Sequence, residues 1–258
     1  MVVITPDQAA AVALVFSRII AFFFSFPLIS SPVIPHNVKV LMVISFAFFT
    51  MLNFDIQVKV NSLELITFLV LVFKEFFIGF SLGLIVNILI SAFSYAAEIV
   101  GFLMGLTVLN IYNPAFGQTS VLSGFFVFLF YLLFFVSGSY QILIGSLFKS
   151  FEIIPVTSTS INQGIFPFVI EKSSDIFLLS FQMAFPFILV LLIFNVVLAL
   201  INRLIPQINV FFVGLPAQIW IGFLVLMFSS VVLVKVGLSL MDKMVEYYLT
   251  ALKIMSKQ

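Results

Sequence analysis

Several residue types are missing or scarce in this chain of 258 residues, and each absence excludes a class of protein. There is no cysteine, which excludes a disulfide framework and a metal site built on thiolates. The single histidine, His36, excludes a metal centre with several imidazole ligands. Charged residues make up only 8% of the chain, whereas soluble domains carry about 25%. The formal net charge of +1 does not suit electrostatic binding to nucleic acid.

Motifs of common enzymes are missing as well. The sequence contains no Gly-x-x-x-x-Gly-Lys-Ser/Thr loop and no His-Glu-x-x-His. We therefore expect a protein that is not an enzyme and that needs no cofactor.

What the chain has in excess is apolar surface, since 63% of its residues are hydrophobic and the mean hydropathy is +1.33. Such a chain cannot cover its surface by folding on itself, so we predict an all-α membrane protein of long helices and helical hairpins. The apolar runs predict helices near 8–30, 38–54, 63–106 (continuous or broken at Lys74–Glu75), 119–148, 176–203 and 208–241.

The domain organisation predicted from these runs is a single domain over 1–258. A polar stretch at 149–175 is the best internal boundary, and it divides an N-terminal helical part, 1–170, from a C-terminal hairpin, 171–258. The hairpin turns at 202–209, where Pro206 cannot continue a helix.

Small and polar residues recur every three or four positions along the third run, at the spacing of one helical face. We call this set the polar stripe: Glu75, Gly79, Gly83, Asn87, Ser91, Ser94, Glu98, Gly101 and Gly105. In hydrocarbon such residues face protein or water rather than lipid. A helix of this length rises about 47 Å, beyond a hydrocarbon core of about 30 Å. The sequence predicts that the stripe packs against another subunit.

Ionisable residues inside apolar runs have two interpretations. Lys74 and Glu75 are either an assembly contact or a proton relay, and adjacent residues on a helix are not expected to pair with each other. Glu98 is either a lining carboxylate or a hydrogen-bond partner for a neighbouring subunit, which we favour. Arg18 is a candidate partner for a carboxylate in this chain or in another.

The segment after the polar stripe, 106–118, combines helix-breaking residues with apolar ones, which is unusual for a solvated turn. Irregular backbone at membrane depth is tolerated where it is buried in protein or lines a cavity. We predict a plug or gate loop formed with Met104, Leu109, Asn110, Ile111, Tyr112, Asn113, Pro114, Phe116 and Gly117.

The first arm of the hairpin carries polar residues on one face and leads into a polar turn. This face is a packing seam or a contact with similar hairpins, and both interpretations concern the same residues: Asn195, Asn202, Arg203, Pro206 and Gln207.

Three blocks of sequence resemble the FliR/SctT family of type III secretion export-gate proteins. They are the ten residues from Lys74 to Gly83, the ten from Ala97 to Leu106 leading into Asn113-Pro114, and the block from Asn195 to Pro216. The order of segments also fits, so the resemblance covers nearly the whole chain. The chain departs from the family at Asn113, where aspartate is common, and lacks the glutamine often found before Met104.

The resemblance implies a non-enzymatic subunit of the flagellar export gate. In that family the chain resembles a fusion of its partners FliP and FliQ and joins copies of both in a helical pore complex. The complex lies in the basal body at the bacterial inner membrane and passes unfolded flagellar subunits. The loop matching 106–118 helps to plug the closed pore, and the hairpin faces FlhB, with FlhA nearby.

Two alternatives remain at this point: the equivalent subunit of a virulence injectisome, and a small-solute transporter, for which Pro186 and Pro216 are weak hints. The membrane orientation also stays open. The distribution of lysine and arginine places the termini in the cytoplasm, whereas the family resemblance places the hairpin turn there.

Overall fold

The structure is a computed structural model that describes residues 5–26, 29, 34–54, 56, 65–106, 121–157, 162, 164–207 and 209–256. These residues form seven helices and no strand, which confirms the predicted all-α fold. The helices are α1 (Pro6–Ser25), α2 (His36–Asn53), α3 (Leu65–Leu103), α4 (Val121–Val136), α5 (Ser139–Ile153), α6 (Ile165–Leu204) and α7 (Val210–Ser256).

Local sequence accounts for several helix ends. Thr5 caps α1: its hydroxyl accepts a hydrogen bond from the Gln8 N–H, and the Gln8 side chain accepts one from the Thr5 N–H. The predicted single helix at 119–148 is instead two helices. The chain turns at Gly138, which has a left-handed φ of +71° that a residue without Cβ adopts at little cost.

The predicted polar connection at 149–175 is wrong at both ends. The helix α5 continues to Ile153, just before Pro155, and α6 already begins at Ile165. The last helix likewise runs to Ser256 rather than stopping near 241. Its extension follows from buried apolar residues at helical spacing, Met244, Tyr248, Ala251 and Met255, which outweigh the intervening charges.

The long helices are continuous where the sequence left a break open. The helix α3 runs unbroken through Lys74 and Glu75. Pro186 lies inside α6 and Pro216 inside α7, and both helices continue on either side. The transporter alternative required discontinuous helices at these prolines, so the hints for it are lost.

The chain forms two compact units that are interleaved along the sequence. Unit 1 contains Met1–Ile88, Gly138–Ser173 and Lys243–Gln258, and unit 2 contains Leu89–Ser137 and Ser174–Asp242. A domain division near residue 170 stays a prediction.

In unit 1, α1 and the first half of α3 run parallel. The contacts show this because their residue numbers rise together on both helices: the Ser17 hydroxyl donates to the Val72 carbonyl at 2.9 Å, and the Asn87 amide donates to the Ser25 carbonyl at 3.4 Å. Leu14 and Ile19 of α1 and Leu82 of α3 are buried in this unit.

Unit 2 has an aromatic core. Phe93 of α3 meets Phe130 of α4 edge to face, with ring centroids 5.2 Å apart, and Phe126 and Phe187 are also fully buried. Leu133 of α4 contacts the bare backbone of Gly237 in α7, where a Cβ atom would lie 2.3 Å from the leucine methyl.

Five of the described helices are long and apolar enough to cross a membrane, or six spans if α4 and α5 count as one bent pair. The predicted multi-pass membrane protein is confirmed at this level. Among these five helices, α2, α6 and α7 are little covered by the chain itself. Only 11%, 17% and 22% of their most apolar windows are buried.

Candidate functional site

The polar stripe lies along α3 and divides between the two units. Its first half, Glu75 to Asn87, belongs to unit 1, and its second half, Ser91 to Gly105, belongs to unit 2.

The glycines of the first half contact the backbone of α1. A Cβ atom on Gly79 would lie 2.0 Å from the Arg18 carbonyl oxygen, and one on Gly83 would lie 2.7 Å from that of Phe22. Both distances are too short for any side chain, so glycine is required by the close helix–helix approach. The spacing of these glycines predicts a contact with another subunit, whereas their neighbour in the structure is α1 of the same chain.

The contact between α1 and the first half of α3 is called the seam. A cluster of buried charges, which we call the ion cluster, lies at its start. Arg18 of α1 and Glu75 of α3 are both 0% exposed, and the Arg18 Nε donates to the Glu75 Oε2 at 2.5 Å. Arg18 also donates to the Ser150 hydroxyl at 3.0 Å and to the Ile154 carbonyl at 2.9 Å. Its guanidinium carbon lies 4.2 Å from the centroid of the Phe151 ring.

Lys74 completes the ion cluster. Its Nζ donates to the carbonyls of Pro155 at 3.0 Å and Val156 at 3.2 Å. It also forms an ion pair with Glu75, whose Oε1 lies 2.8 Å away. The expectation that these adjacent residues do not pair is therefore wrong, because the long lysine side chain bends back to its neighbour.

The electrostatics of the ion cluster are balanced by the end of α5. Two cations face one carboxylate, and the remaining positive charge is met by three successive carbonyls, from Ile154 to Val156. These carbonyls directly follow the C-terminus of α5, where the helix dipole favours cations. The arrangement fixes α1, α3 and the end of α5 to one another. Sequence reasoning missed Ser150 and these carbonyls, because a backbone acceptor has no sequence signal.

The second half of the polar stripe presents a charge outward. Glu98 is exposed, and no residue in the described part of the chain forms an ion pair with it. Gly101 is buried and Ser91 is half-buried. Packing of this half against another subunit stays a prediction.

The end of α3 has a well-defined geometry. The Leu106 N–H donates to the Gly101 carbonyl at 2.9 Å and the Gly105 N–H to the Phe102 carbonyl at 3.0 Å, while Gly105 has φ of +73°. This pair of bonds around a left-handed glycine is a Schellman motif, which ends a helix and turns the chain away.

Met104, the residue before this turn, is fully buried against α7. A Cβ atom on Gly222 would meet the Met104 side chain at 2.5 Å, so the thioether fills the space that the glycine leaves. Gly222 was missed by sequence reasoning, although a search for small residues in the last apolar run would have found it. The other predicted gate residues, Leu109, Asn110, Ile111, Tyr112, Asn113, Pro114, Phe116 and Gly117, lie outside the described residues.

The predicted hairpin contact divides into two parts. Asn195 of α6 accepts a hydrogen bond from the Gln218 amide of α7, a partner that the sequence analysis did not single out. The remaining members are exposed at the turn: Asn202, Arg203, Pro206 and Gln207. The first part is thus a seam inside the hairpin, while the turn itself is open to other molecules.

Within the described residues, no group of three His, Cys, Asp or Glu side chains could hold a metal ion. The site therefore consists of packed helices, a buried ion cluster and exposed contact residues.

Comparison with known proteins is consistent across the chain. The model of the family described as "Bacterial export proteins, family 1" matches residues 9–244. The chain is 39% identical over 217 residues to the flagellar biosynthetic protein FliR of Aquifex aeolicus (strain VF5), covering 82% of each chain. It is 36% identical over 226 residues to that of Bacillus subtilis (strain 168), covering 85% of this chain and 86% of the relative. It is 30% identical over 210 residues to that of Escherichia coli (strain K12), covering 80% and 78%.

Proposed function

Because the chain belongs to the FliR family of bacterial export proteins and is a component of the flagellar export apparatus, we propose that it is a subunit of the export gate. It forms, with FliP and FliQ, the inner-membrane pore through which unfolded flagellar subunits leave the cell. The observation that carries the proposal is the family match over residues 9–244, which includes the polar stripe and the hairpin. The family's name describes export and the relatives' names describe flagellar biosynthesis, and neither describes an enzymatic activity.

Exposed apolar side chains on the hairpin support an assembly with other chains. Phe177 of α6 is 73% exposed, and Trp220 and Phe228 of α7 are 72% and 76% exposed. Apolar surface on this scale marks contact with lipid or with other proteins. The hairpin resembles FliQ in the family, so we assign this surface to neighbouring FliQ and FliP subunits.

The exposed turn of the hairpin supports a second contact. Arg203 and Gln207 project there without burial by the described chain. We place this turn near the cytoplasmic entrance of the pore, facing FlhB, with FlhA nearby in the basal body.

The loop after α3 is proposed to seal the resting pore. Its described start supports this: the chain turns out of α3 at Gly105, and Met104 packs against α7 directly before the loop. The apolar members Leu109, Ile111, Tyr112 and Phe116 would cost about 25 cal/mol per Å² if they were left in water. Packing against equivalent loops of neighbouring subunits would bury them.

The assembly is tested by gentle purification of the chain from its native membrane. We expect FliP-like and FliQ-like proteins to be recovered with it in fixed proportion. A chain recovered alone, with flagella still assembled, would contradict the proposal.

The seal is tested by removing about four residues between Val108 and Gln118. We expect the complex to form while the membrane becomes permeable to small ions, because the shorter loop no longer fills the lumen. The measurement is ion conductance in cells that express the chain with its partners. A control removes equally many residues from 57–63. Unchanged conductance with the complex present would place the seal in another subunit.

A further inference from the structure

An apolar groove with a volume of about 520 Å³ lies between α1 and α2 in unit 1. This volume is within the range of small-molecule sites, about 300–1,000 Å³. Two of its lining residues, Phe24 and Val40, are 72% and 53% exposed, so the groove is open outward in the described part of the chain. None of its described lining residues belongs to the ion cluster.

The groove is polar at one end only. His36 and Lys39 line it from the first turn of α2, next to the connection between the two helices. The lining residues farthest from that connection along each helix are Phe16 and Ile44, which are apolar. None of the described lining residues is acidic. The groove therefore pairs a basic end with an apolar body.

The position of the basic end in the membrane follows from the helices. Both α1 and α2 are long and apolar enough to cross a bilayer, so the first turn of α2, which carries His36 and Lys39, lies at a membrane surface. Phospholipid phosphates lie at that level, and lysine residues beside the ends of membrane spans attract anionic head groups. Acyl chains lie at the depth of the apolar part.

We propose that this groove binds one anionic phospholipid. The phosphate lies at Lys39 and His36, and one acyl chain lies along Phe16, Ile20 and Ile44. A helix of a second chain is about 10–12 Å wide and would place only a few side chains in 520 Å³. An apolar helix would also leave the positive charge at the basic end unpaired, whereas an anionic head group would pair with it.

The test uses the full-length chain in bilayer discs that contain equal amounts of phosphatidylglycerol, which is anionic, and phosphatidylcholine, which has no net charge. Native mass spectrometry then counts the lipids that stay bound after release from the discs. We expect the wild type to retain phosphatidylglycerol in preference to phosphatidylcholine. Lys39→Gln should lower phosphatidylglycerol retention about fivefold, the effect of one lysine near a lipid phosphate.

A second variant tests the apolar part. Val43→Trp fills the groove and should lower the retention of both lipids. Its control is Val38→Trp, which places the same bulk at an exposed position of α2 outside the groove. Lys235→Gln, an exposed lysine of α7, is the control for charge. Both controls should behave as the wild type does.

Three results would overturn the proposal. One is equal retention of the two lipids by the wild type, and another is unchanged retention in Lys39→Gln. The third is a dimer mass that Val43→Trp abolishes, which would make a second copy of the chain the occupant. Because Lys39 is a partly exposed surface charge, Lys39→Gln keeps the test valid even if Val43→Trp does not fold.

Discussion

Glu75 and Glu98 lie on the same helix, α3, and meet opposite surroundings. Glu75 is 0% exposed and contacts Arg18 and Lys74, whereas Glu98 is exposed and has no ion-pair partner among the described residues. A buried charge must be paired to be tolerated, while an exposed one on an apolar helix is available to a partner. The difference teaches that a carboxylate at the start of the polar stripe is paired within the chain, whereas Glu98, farther along the same helix, stays exposed.

The apolar surface divides in the same way. Leu82 and Ile85, beside the glycines of the first half, are fully buried. In the hairpin, by contrast, Phe212 and Trp220 are 74% and 72% exposed. The seam of α1 and α3 should therefore decide whether the chain folds, and the hairpin should decide what the folded chain joins.

The largest effect is expected from Glu75→Leu. This change leaves Arg18 and Lys74 buried without their anion, which costs about 3–5 kcal/mol of unfolding free energy. Arg18→Met should cost less, because Lys74 and Glu75 still balance each other. The measurement is thermal unfolding of the purified chain, followed by circular dichroism. Equal stability of Glu75→Leu and wild type would show that the ion cluster does not hold the helices together.

A smaller loss is expected from Gly79→Ala. The new Cβ would lie 2.0 Å from the Arg18 carbonyl oxygen, so α1 must shift, at a cost of about 1–3 kcal/mol. The matched control is Gly145→Ala in α5, where nothing lies within 4 Å of the new Cβ. There the better helix propensity of alanine should stabilise the chain by up to about 1 kcal/mol. If both variants unfolded at the wild-type temperature, the close approach of α1 and α3 at Gly79 would not contribute to stability.

Glu98→Ala is expected to leave folding intact and to weaken assembly, the reverse of the changes in the ion cluster and the seam. Because Glu98 is exposed, the unfolding free energy should change by no more than about 0.5 kcal/mol. Co-purification of partner subunits should fall at least about fivefold, because the hydrogen bond expected between Glu98 and a neighbouring subunit is lost. The control is Glu152→Ala, another exposed glutamate, on α5. Full recovery of partners with Glu98→Ala would show that this half of the stripe is not an interface.

The smallest effect is expected from Arg203→Ala at the hairpin turn. Its side chain is exposed, so the stability should stay within about 0.5 kcal/mol of the wild type. Export should fall roughly twofold, the size of a weak exposed charge contact. Arg203→Lys, which keeps the charge, should export normally. The measurement is secreted flagellar protein at equal amounts of the chain, and wild-type export by Arg203→Ala would exclude a contact there.

Sequence reasoning was most successful where the signal is local. The third apolar run predicts a helix that ends near residue 106, and the helix ends at Leu103, just before left-handed Gly105. The reasoning failed at Gly138, because an isolated glycine inside an apolar run is equally typical of a continuous helix. It also failed at the neighbour of Gly79: a glycine every fourth residue predicts a close approach without saying which helix approaches.

The candidate site shows the same limit. Arg18 was predicted to need a carboxylate, but a sequence cannot choose between Glu75, 57 positions away, and a residue of another chain. Ser150 and the carbonyls that follow it had no signal at all, since every residue carries a carbonyl. Met104 was predicted from its position beside the loop, and only its contact with Gly222 shows what holds it.

The sequence by itself determined the membrane class, the all-α fold, the polar stripe and the family, because composition, helical periodicity and motif order are written in consecutive residues. The tertiary structure alone decided that Gly79 and Gly83 meet α1 of the same chain, that Lys74 bends back to Glu75, and that the end of α5 accepts the excess charge. These outcomes depend on which distant segments pack together, and local sequence patterns allow several such arrangements. The arrangement that forms is the one in which buried charges are paired and glycine backbones are closely packed.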